Sequence, residues 1–222
     1  LIGWCFMLFM CNRAYSINNI SFKGIGQYGI LILTILFCLF EIVFKKNLNV
    51  KLIGYSILGL LYISLSWGLM IGLRNDGMMF KGQTLMLDFG FGFVTPILLI
   101  ASIWINDTMQ YIVGSLIGKT PFSKISPKKT WEGTAGGSLL CIVVVSVVGF
   151  YAIHLPIQLC IGVAAIAAIM GTLGDLLESK LKRLANVKDS GSFMPGHGGF
   201  LDRFDSLLLA TPFVWLFVYF FM

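Results

Sequence analysis

The chain has 222 residues, of which 57% are hydrophobic and only 12% are charged, and its mean hydropathy is +0.88. An ordinary soluble domain has about a quarter of its residues charged, so this composition excludes a water-soluble globular protein. The formal net charge of +6 is typical of basic loops beside anionic lipids, and we expect membrane lipids rather than nucleic acid as partners.

Apolar runs in the sequence predict membrane-spanning helices, each of which needs about 20 apolar residues. Such runs cover residues 25–44, 52–73, 84–105, 134–155, 157–174 and 206–222. A seventh run, 1–11, is shorter, and because the chain starts inside it with Leu1 we expect residues to be missing from the N-terminus. These runs predict an all-α, polytopic integral membrane protein with about six to seven transmembrane helices.

Two long polar segments, 106–133 and 179–205, interrupt the apolar runs. We predict N-terminal transmembrane helices over 1–105 and a C-terminal catalytic membrane domain over 106–222. Lys and Arg favour the cytoplasmic loops of membrane proteins. Twelve of the 16 basic residues fall on one predicted side, which includes both polar segments: Lys45, Lys46, Lys51, Lys119, Lys124, Lys128, Lys129, Lys180, Lys182, Arg183, Lys188 and Arg203. We therefore expect two active-site loops that face the cytoplasm, where nucleotides are available.

The first polar segment, 106–133, combines an apolar stretch with a basic patch. Residues 111–117 are apolar but too few to span a bilayer, which favours a segment that dips partly into the membrane. Lys128 and Lys129 stand between Pro127 and Trp131. Taken alone, this pattern is also typical of an interfacial membrane anchor, so both roles stay open.

The second polar segment begins after two acids, Asp175 and Glu178, that share one helical face. We expect them in the last turns of a span, where the helix dipole disfavours negative charge, and a bound cation is the simplest compensation. At the far end of the segment, Asp202 and Asp205 flank Arg203. Asp205 is either an N-cap of the last helix or a functional acid, whereas Asp202 lies too far out to cap that helix.

Magnesium takes oxygen ligands and usually binds only one or two carboxylates, which leaves room for water and substrate phosphates. Asp175 and Asp202 fit that need, so they are the predicted metal ligands. Lys182, Arg183 and Lys188 lie between them and are suited to neutralise the oxygens of a nucleotide triphosphate. His197 lies in a Gly-rich turn, where a structural and a functional role are equally open.

At these residues the sequence resembles the phosphatidate cytidylyltransferase family. The family signature runs Ser, any residue, apolar, Lys-Arg, four residues, Lys-Asp, then a small residue two further on, and closes with Pro-x-His-Gly-Gly, apolar, x-Asp-Arg, apolar, Asp. The chain satisfies it with Ser179, Leu181, Lys182, Arg183, Lys188, Asp189, Gly191, Pro195, His197, Gly198, Gly199, Phe200, Asp202, Arg203, Phe204 and Asp205. Met194 stands where Leu, Ile or Phe is usual, which is a swap of similar volume.

Two upstream motifs extend the resemblance to about residues 106–210. The family's Ser-Pro-Lys-Lys-Thr-Trp-Glu-Gly stretch is present at 126–133, and its Asn-Asp pair is Asn106-Asp107. The family commonly has small residues after that Asp, whereas 108–110 here read Thr-Met-Gln, so Asp107 is given no role. The N-terminal runs match only in being apolar.

The resemblance implies a magnesium-dependent reaction of CTP with phosphatidate that gives CDP-diacylglycerol and pyrophosphate in phospholipid biosynthesis. It implies that Asp175 and Asp202 hold one or two cations, and that Asp205 and His197 orient their surroundings. Phosphates are expected on Lys182, Arg183, Lys188 and Arg203, and the nucleotide or lipid headgroup on Lys128 and Lys129. No protein nucleophile is needed. The expected location is the inner membrane of a bacterium, and a homodimer is an open alternative to a monomer.

Two other functions remain as alternatives. A CTP-dependent kinase of a polyprenol lipid would combine the same membrane domain with a cytidine site, but it would release CDP instead of pyrophosphate. A transporter of an anionic solute would use intramembrane charges such as Asp88 and Glu41. The concentration of charge in the loops disfavours the transporter.

Overall fold

The computed structural model describes residues 1–11, 16–17, 20–44, 50–76, 93–123, 126–187, 189–191 and 199–221, with backbone alone at 16–17, 20, 37–44, 50–53 and 75–76. The described chain is helical except for one small antiparallel pairing between β1 (Ser16–Ile17) and β2 (Ile20–Ser21), in which Ser16 lies opposite Ser21. An isolated bridge also joins Pro121 to Thr130. The predicted all-α class is therefore confirmed.

The N-terminal half contains α1 (Ile2–Phe9), α2 (Phe22–Phe44), α3 (Val50–Gly59) and α4 (Ser66–Asp76). A π-helical segment, Leu60–Leu65, joins α3 to α4 without a break in the helical rod. Such wider turns are rare and often occur at functional sites, because they displace the side chains of one turn. The C-terminal half contains α5 (Val94–Ile117), α6 (Trp131–Ala152), α7 (Ile157–Leu184) and α8 (Asp205–Phe221), with a 3₁₀ turn at Leu201–Arg203 before α8.

Four stretches are long and apolar enough to cross a membrane: Gly54–Arg74, Val94–Ile117, Trp131–Ala152 and Ile157–Leu184. Phe22–Leu36 and Asp205–Phe221 are shorter apolar helices. Each of the seven predicted apolar runs contains a helix, so the expectation of a polytopic membrane protein is confirmed. Many large apolar side chains point outward, for example Leu116 at 77% and Trp104 at 71% exposed, as expected where lipid is the solvent.

The core lies among α4, α5, α6, α7 and α8 and is built from Leu99, Cys141, Leu159, Val163 and Val214, all nearly or fully buried. Small residues allow close helix contact: a side chain at Gly137 of α6 would collide with the backbone of Gln110 in α5. The C-terminal ends of α5 and α7 and the N-terminal ends of α6 and α8 meet at one end of the bundle, called here the loop end. The 118–130 and 185–204 segments lie there.

Two predicted boundaries were wrong. The predicted span at 84–105 ends too early, because α5 continues to Ile117, whereas positions 84–92 of the prediction lie outside the described residues. Residues 106–117, predicted as part of a loop that dips into the membrane, are instead the second half of α5. Two of their polar side chains are buried inside the protein: Asn106 is 1% exposed, and the Gln110 amide donates to the Thr172 hydroxyl at 2.8 Å. α5 also crosses the predicted domain boundary at 105/106, and that division remains a prediction.

The second displaced boundary concerns α7, which was expected to end near residue 178 and extends to Leu184. Asp175 and Glu178 therefore lie more than a turn before its C-terminus, and the argument from an unfavourable helix dipole does not apply to them, since that effect is confined to the last turn. Lys182 and Arg183 occupy the last turn instead and suit the dipole. The Lys182 ammonium also lies one turn after Glu178 and forms an ion pair with it.

Candidate active site

A polar cavity of about 500 Å³ opens at the loop end of the bundle. Four aspartates from four different places line it: Asp107 of α5, Asp175 of α7, Asp202 of the 3₁₀ turn and Asp205, the first residue of α8. Lys128 and Lys129, which precede α6, line it as well. The fold therefore brings acids and bases from both sequence-predicted segments to one polar space.

Close contact between α7 and α8 places two of these acids side by side. A Cβ atom at Gly174 would lie 2.6 Å from the carbonyl oxygen of Asp205 and 3.1 Å from the Cα of Ser206. Only glycine allows this approach, since real Cβ contacts are longer. Asp175, the next residue along α7, is thereby held beside the start of α8 and interacts electrostatically with Asp205.

The 118–130 loop positions the two lysines. Backbone hydrogen bonds join Phe122 to Lys129 at 2.7 Å and Trp131 to Thr120 at 3.0 Å, which folds the loop back on itself. The Glu132 carboxylate accepts from the backbone N–H groups of Lys119 and Thr120, both at 3.1 Å. The Thr130 hydroxyl caps α6 by accepting from the N–H of Gly133. The loop is therefore tied to the helix that follows it.

Lys129 forms an ion pair with Asp175, whose other carboxylate oxygen accepts from the Ser179 hydroxyl at 3.4 Å. The two side chains are 24% and 29% exposed, so they stay in contact with solvent in the cavity. Lys128 is exposed and lines the same cavity. Lys129 thus neutralises Asp175, while the ammonium of Lys128 is exposed to a ligand in the cavity.

Asp202 organises the second loop through both of its carboxylate oxygens. Oδ1 accepts from the Lys182 ammonium at 2.6 Å, and Oδ2 accepts from the Gly199 N–H at 2.6 Å and from the Ser190 N–H and hydroxyl at 2.9 and 2.8 Å. Partial burial acts to raise the pKa of Asp202, but the bonds from Lys182, Ser190 and Gly199 outweigh it and hold the pKa well below its usual range. Asp202 is therefore ionised throughout the physiological range.

A buried acid lies beneath this loop. Glu178 is 1% exposed, and its Oε2 lies 3.2 Å from the Lys182 ammonium, while its Oε1 is buried and has no hydrogen-bond partner in the described part of the chain. Its carboxyl group also lies beside that of Asp205, whose Oδ1 accepts from the Ser206 N–H at 2.6 Å. Two neighbouring carboxylates repel each other unless a proton or a cation lies between them. Asp205 is thus the first residue of α8 and also one of two neighbouring carboxylates, together with Glu178.

Sequence reasoning missed the contribution of the N-terminal half. The Tyr62 hydroxyl, on the π-helical segment, is buried, has no hydrogen-bond partner among the residues that the structure describes, and lies within electrostatic range of Asp205, Glu178 and Asp175. Ser66 fixes this segment, because its hydroxyl contacts the carbonyl oxygens of Tyr62 at 2.8 Å and Leu208 at 2.6 Å. No sequence pattern marks Tyr62. Asp107, which was given no role, lines the polar cavity.

The predicted site residues divide into three groups. The first group lines the cavity: Asp175, Asp202, Asp205, Lys128 and Lys129. Lys182 is not part of the lining, but its ammonium donates to Asp202, which is. The structure leaves Arg183 and Arg203 exposed and outside the described lining. Lys188 and His197 lie outside the described residues, so their predicted roles remain predictions.

The donor set of the cavity suits a hard divalent cation. Its acids offer only oxygen, and among the described residues no three His, Cys, Asp or Glu side chains form a group that could hold a metal. Such a site would supply one or two carboxylates and leave other positions to water and phosphate, as magnesium prefers. The carboxylates of this chain therefore fit the ion implied by the sequence.

Comparison with known proteins agrees with this chemistry. The sequence pattern of the cytidylyltransferase family matches residues 1–221. The chain belongs to the cytidylyltransferase family. The match extends well beyond the 106–210 region on which the sequence resemblance was based, and it includes the N-terminal helices, which had matched only in being apolar. Every residue that lines the polar cavity of this cytidylyltransferase lies within the matched range.

Named relatives are bacterial. The chain is 31% identical to the phosphatidate cytidylyltransferase of Bacillus subtilis over 217 residues, which is 97% of the chain and 75% of the relative. It is 32% identical to that of Staphylococcus haemolyticus over 199 residues, 88% of the chain and 68% of the relative. The enzyme of that name from Synechocystis is 45% identical over 136 residues, 59% of the chain and 45% of the relative. The cytidylyltransferase described here is thus an enzyme of nucleotide transfer in a membrane.

Proposed function

We propose that this enzyme transfers a cytidylyl group from CTP to the phosphate of phosphatidate, with magnesium, and so forms CDP-diacylglycerol and pyrophosphate. The observation that carries the proposal is the polar cavity at the end of a membrane bundle, where four aspartates face two lysines. Its chemistry is that of a site for polyanions and a cation, and its relatives bear the name of this activity.

The reaction needs positioning and charge neutralisation more than covalent chemistry. An oxygen of the lipid phosphate attacks the α-phosphorus of CTP, the bond to the β-phosphate breaks, and pyrophosphate leaves with the bonding electrons. Lys128 is exposed in the cavity and would hold phosphate oxygens of the incoming nucleotide or lipid headgroup. Lys129 would do the same once its ion pair with Asp175 opens. The sequence assigns further phosphate contacts to Lys182, Arg183, Lys188 and Arg203.

Asp175 and Asp202 are the proposed magnesium ligands, with Asp205 and His197 holding the surroundings in place. The bound ion would neutralise phosphate charge and orient the triphosphate. Asp202 has donors on both oxygens, three of them on Oδ2. Among the described donors only Lys182 bonds to Oδ1, so Oδ1 is the proposed ligand atom. Ser190 and Gly199 fix the direction of that oxygen.

The loop end, with both polar segments, is proposed to face the cytoplasm of a bacterial inner membrane. Basic residues concentrate there, as they do in cytoplasmic loops, and CTP is available on that side. α7 ends at this side with Lys182 and Arg183 and begins at the other beside Pro156, in a turn without basic residues.

Product analysis tests the proposal. Purified protein in detergent with magnesium, CTP labelled on the cytidine, and phosphatidate should move the label into the lipid phase and release one pyrophosphate for each labelled lipid. In a parallel reaction with a polyprenol in place of phosphatidate, a polyprenol kinase would leave the label in water as CDP, and a transporter would change neither substrate. Label confined to the aqueous phase, with active protein confirmed by nucleotide-dependent thermal stabilisation, would exclude the proposed reaction.

A further inference from the structure

A second cavity, of about 410 Å³, borders the Asp202 loop. Its lining is mostly apolar and comes from the π-helical segment, α4, the 3₁₀ turn and α8: Ile63, Trp67, Phe200, Leu201, Phe204 and Leu208. We call it the apolar cavity. Ile63 is 39% and Phe200 51% exposed, so the apolar cavity is open to the surroundings of the bundle.

Three aromatic rings form one wall of the apolar cavity. The rings of Trp67 and Phe204 meet edge to face with centroids 5.1 Å apart, and those of Phe200 and Phe204 lie 4.7 Å apart. Phe200 stacks over Trp67 at 6.4 Å. Such contacts give each ring a preferred orientation. The wall is therefore a preformed apolar surface at the level where α8 begins.

The apolar cavity and the polar cavity border the same loop. Ser190 and Gly199 line the apolar cavity, and the same two residues donate hydrogen bonds to Asp202, which lines the polar cavity. Phe204, on the aromatic wall, is followed directly by Asp205 of the polar cavity. The two cavities are therefore neighbours, with the Asp202 loop between them.

We infer that the apolar cavity binds the acyl-chain end of the lipid substrate, next to the glycerol backbone, while its phosphate occupies the polar cavity. This assignment rests on the proposed function, since it requires a substrate with a phosphate at one end and long hydrocarbon chains at the other. Packing against Trp67, Phe200 and Ile63 gives a long chain van der Waals contacts that a short chain does not make. The loop of Asp202 separates the two ends of the substrate and orients the phosphate.

The test compares phosphatidates of two chain lengths in the same mixed micelles. Phe200→Ala should lower kcat/KM for dioleoyl phosphatidate about tenfold, because the packing contacts of the ring with the chain are lost, and that for dioctanoyl phosphatidate by less than about twofold. The KM for CTP should stay unchanged. Because each value is divided by that of the unaltered enzyme with the same lipid, differences in micelle partitioning cancel.

Phe213→Ala is the matched control, since Phe213 of α8 is 40% exposed and lies outside the lining of the apolar cavity. For both lipids, its kcat/KM should equal that of the unaltered enzyme, so the ratio of variant to unaltered kcat/KM stays at one. Ile63→Trp fills the apolar cavity without removing an aromatic ring, and it should also lower the dioleoyl ratio more than the dioctanoyl ratio. This second variant keeps the test valid if Phe200→Ala disturbs the loop.

Equal losses with both lipids in the two cavity variants, or no loss with either, would overturn the acyl-chain assignment while leaving the cytidylyl transfer intact. An unaltered enzyme that forms no labelled lipid from either phosphatidate would instead overturn the proposed function, and the assignment with it. The two failures are therefore distinguishable in one set of assays.

Discussion

At the scale of single residues, the acids of the polar cavity do not have equal roles. Among the described residues, Asp202 accepts from three donors of its loop and from Lys182 of α7, whereas Asp175 contacts one lysine and one more distant hydroxyl. Loss of Asp202 should therefore disturb the loop as well as the proposed metal site. Loss of Asp175 should affect catalysis alone.

Asp175→Asn should lower kcat at least about a hundredfold, because the amide keeps the shape but removes the charge that faces the cation. Asp202→Asn should lower it as much and should also expose the 185–204 loop to proteolysis. Turnover is measured across a magnesium titration with thermal unfolding as the control for folding. Near-normal turnover of Asp175→Asn at limiting magnesium would contradict its assignment as a ligand.

Tyr62→Phe isolates the buried hydroxyl that lacks a partner. Removing an unsatisfied buried hydroxyl should raise the free energy of unfolding by about 1 kcal/mol, since its desolvation is not compensated in the substrate-free protein. Thermal unfolding in detergent measures the change, with Tyr28→Phe as a control, because Tyr28 is 65% exposed. A lower stability would mean that the hydroxyl is already bonded in the resting enzyme.

The depressed pKa of Asp202 sets a pH dependence with a definite sign. Because the folded pKa is below the unfolded value of about 3.9, the Asp202 bonds contribute their full stability above that value and lose it as the pH falls through the folded pKa. The difference in unfolding free energy between the unaltered enzyme and Asp202→Asn should therefore be constant between pH 8 and about 5. Any large change in this difference near neutral pH would contradict the depressed pKa.

At the scale of secondary-structure elements, the sequence predicts the helices better than their ends. The predicted span 84–105 stops before Asn106 because polar residues usually end a span, yet Gln110 is bonded to Thr172 of α7 and Asn106 lies 3.4 Å from the Ser138 hydroxyl of α6. These partners come from other helices, so a single run of sequence does not reveal them. For the same reason the family motifs predicted the loop residues of the site, but not Tyr62.

Gly174→Ala tests the contact between α7 and α8. The added methyl group would press on the backbone of Asp205 and should cost about 1–3 kcal/mol, while moving Asp175 away from Asp205 and lowering kcat. Gly54→Ala is the matched control, because nothing lies within 4 Å of its Cβ position and alanine favours helix by up to about 1 kcal/mol. Unchanged stability and activity in Gly174→Ala would show that the two helices can separate freely.

At the scale of the whole molecule, the two active-site loops share one end of the bundle, while residues 153–156 lie at the other. Charge counting predicts that the loop end faces the cytoplasm. The structure adds that both polar segments contribute to one cavity, so a single orientation serves the entire site.

Thiol labelling checks this orientation in intact cells. Val187→Cys lies at the loop end and Ile153→Cys at the other, and the parent side chains are 46% and 42% exposed. In a background without the native cysteines, a membrane-impermeant reagent should label the second variant in whole cells and the first only after lysis. The reverse pattern would place the site outside the cytoplasm.

The ion pairs of the resting site have a further consequence for the order of events in a catalytic cycle. Lys129 and Lys182 already neutralise Asp175 and Asp202, so free magnesium gains little by entering alone. An incoming triphosphate would compete for the same ammonium groups and release the carboxylates as it binds. If magnesium is the cation, as proposed, metal and nucleotide would then be best bound together as a preformed complex.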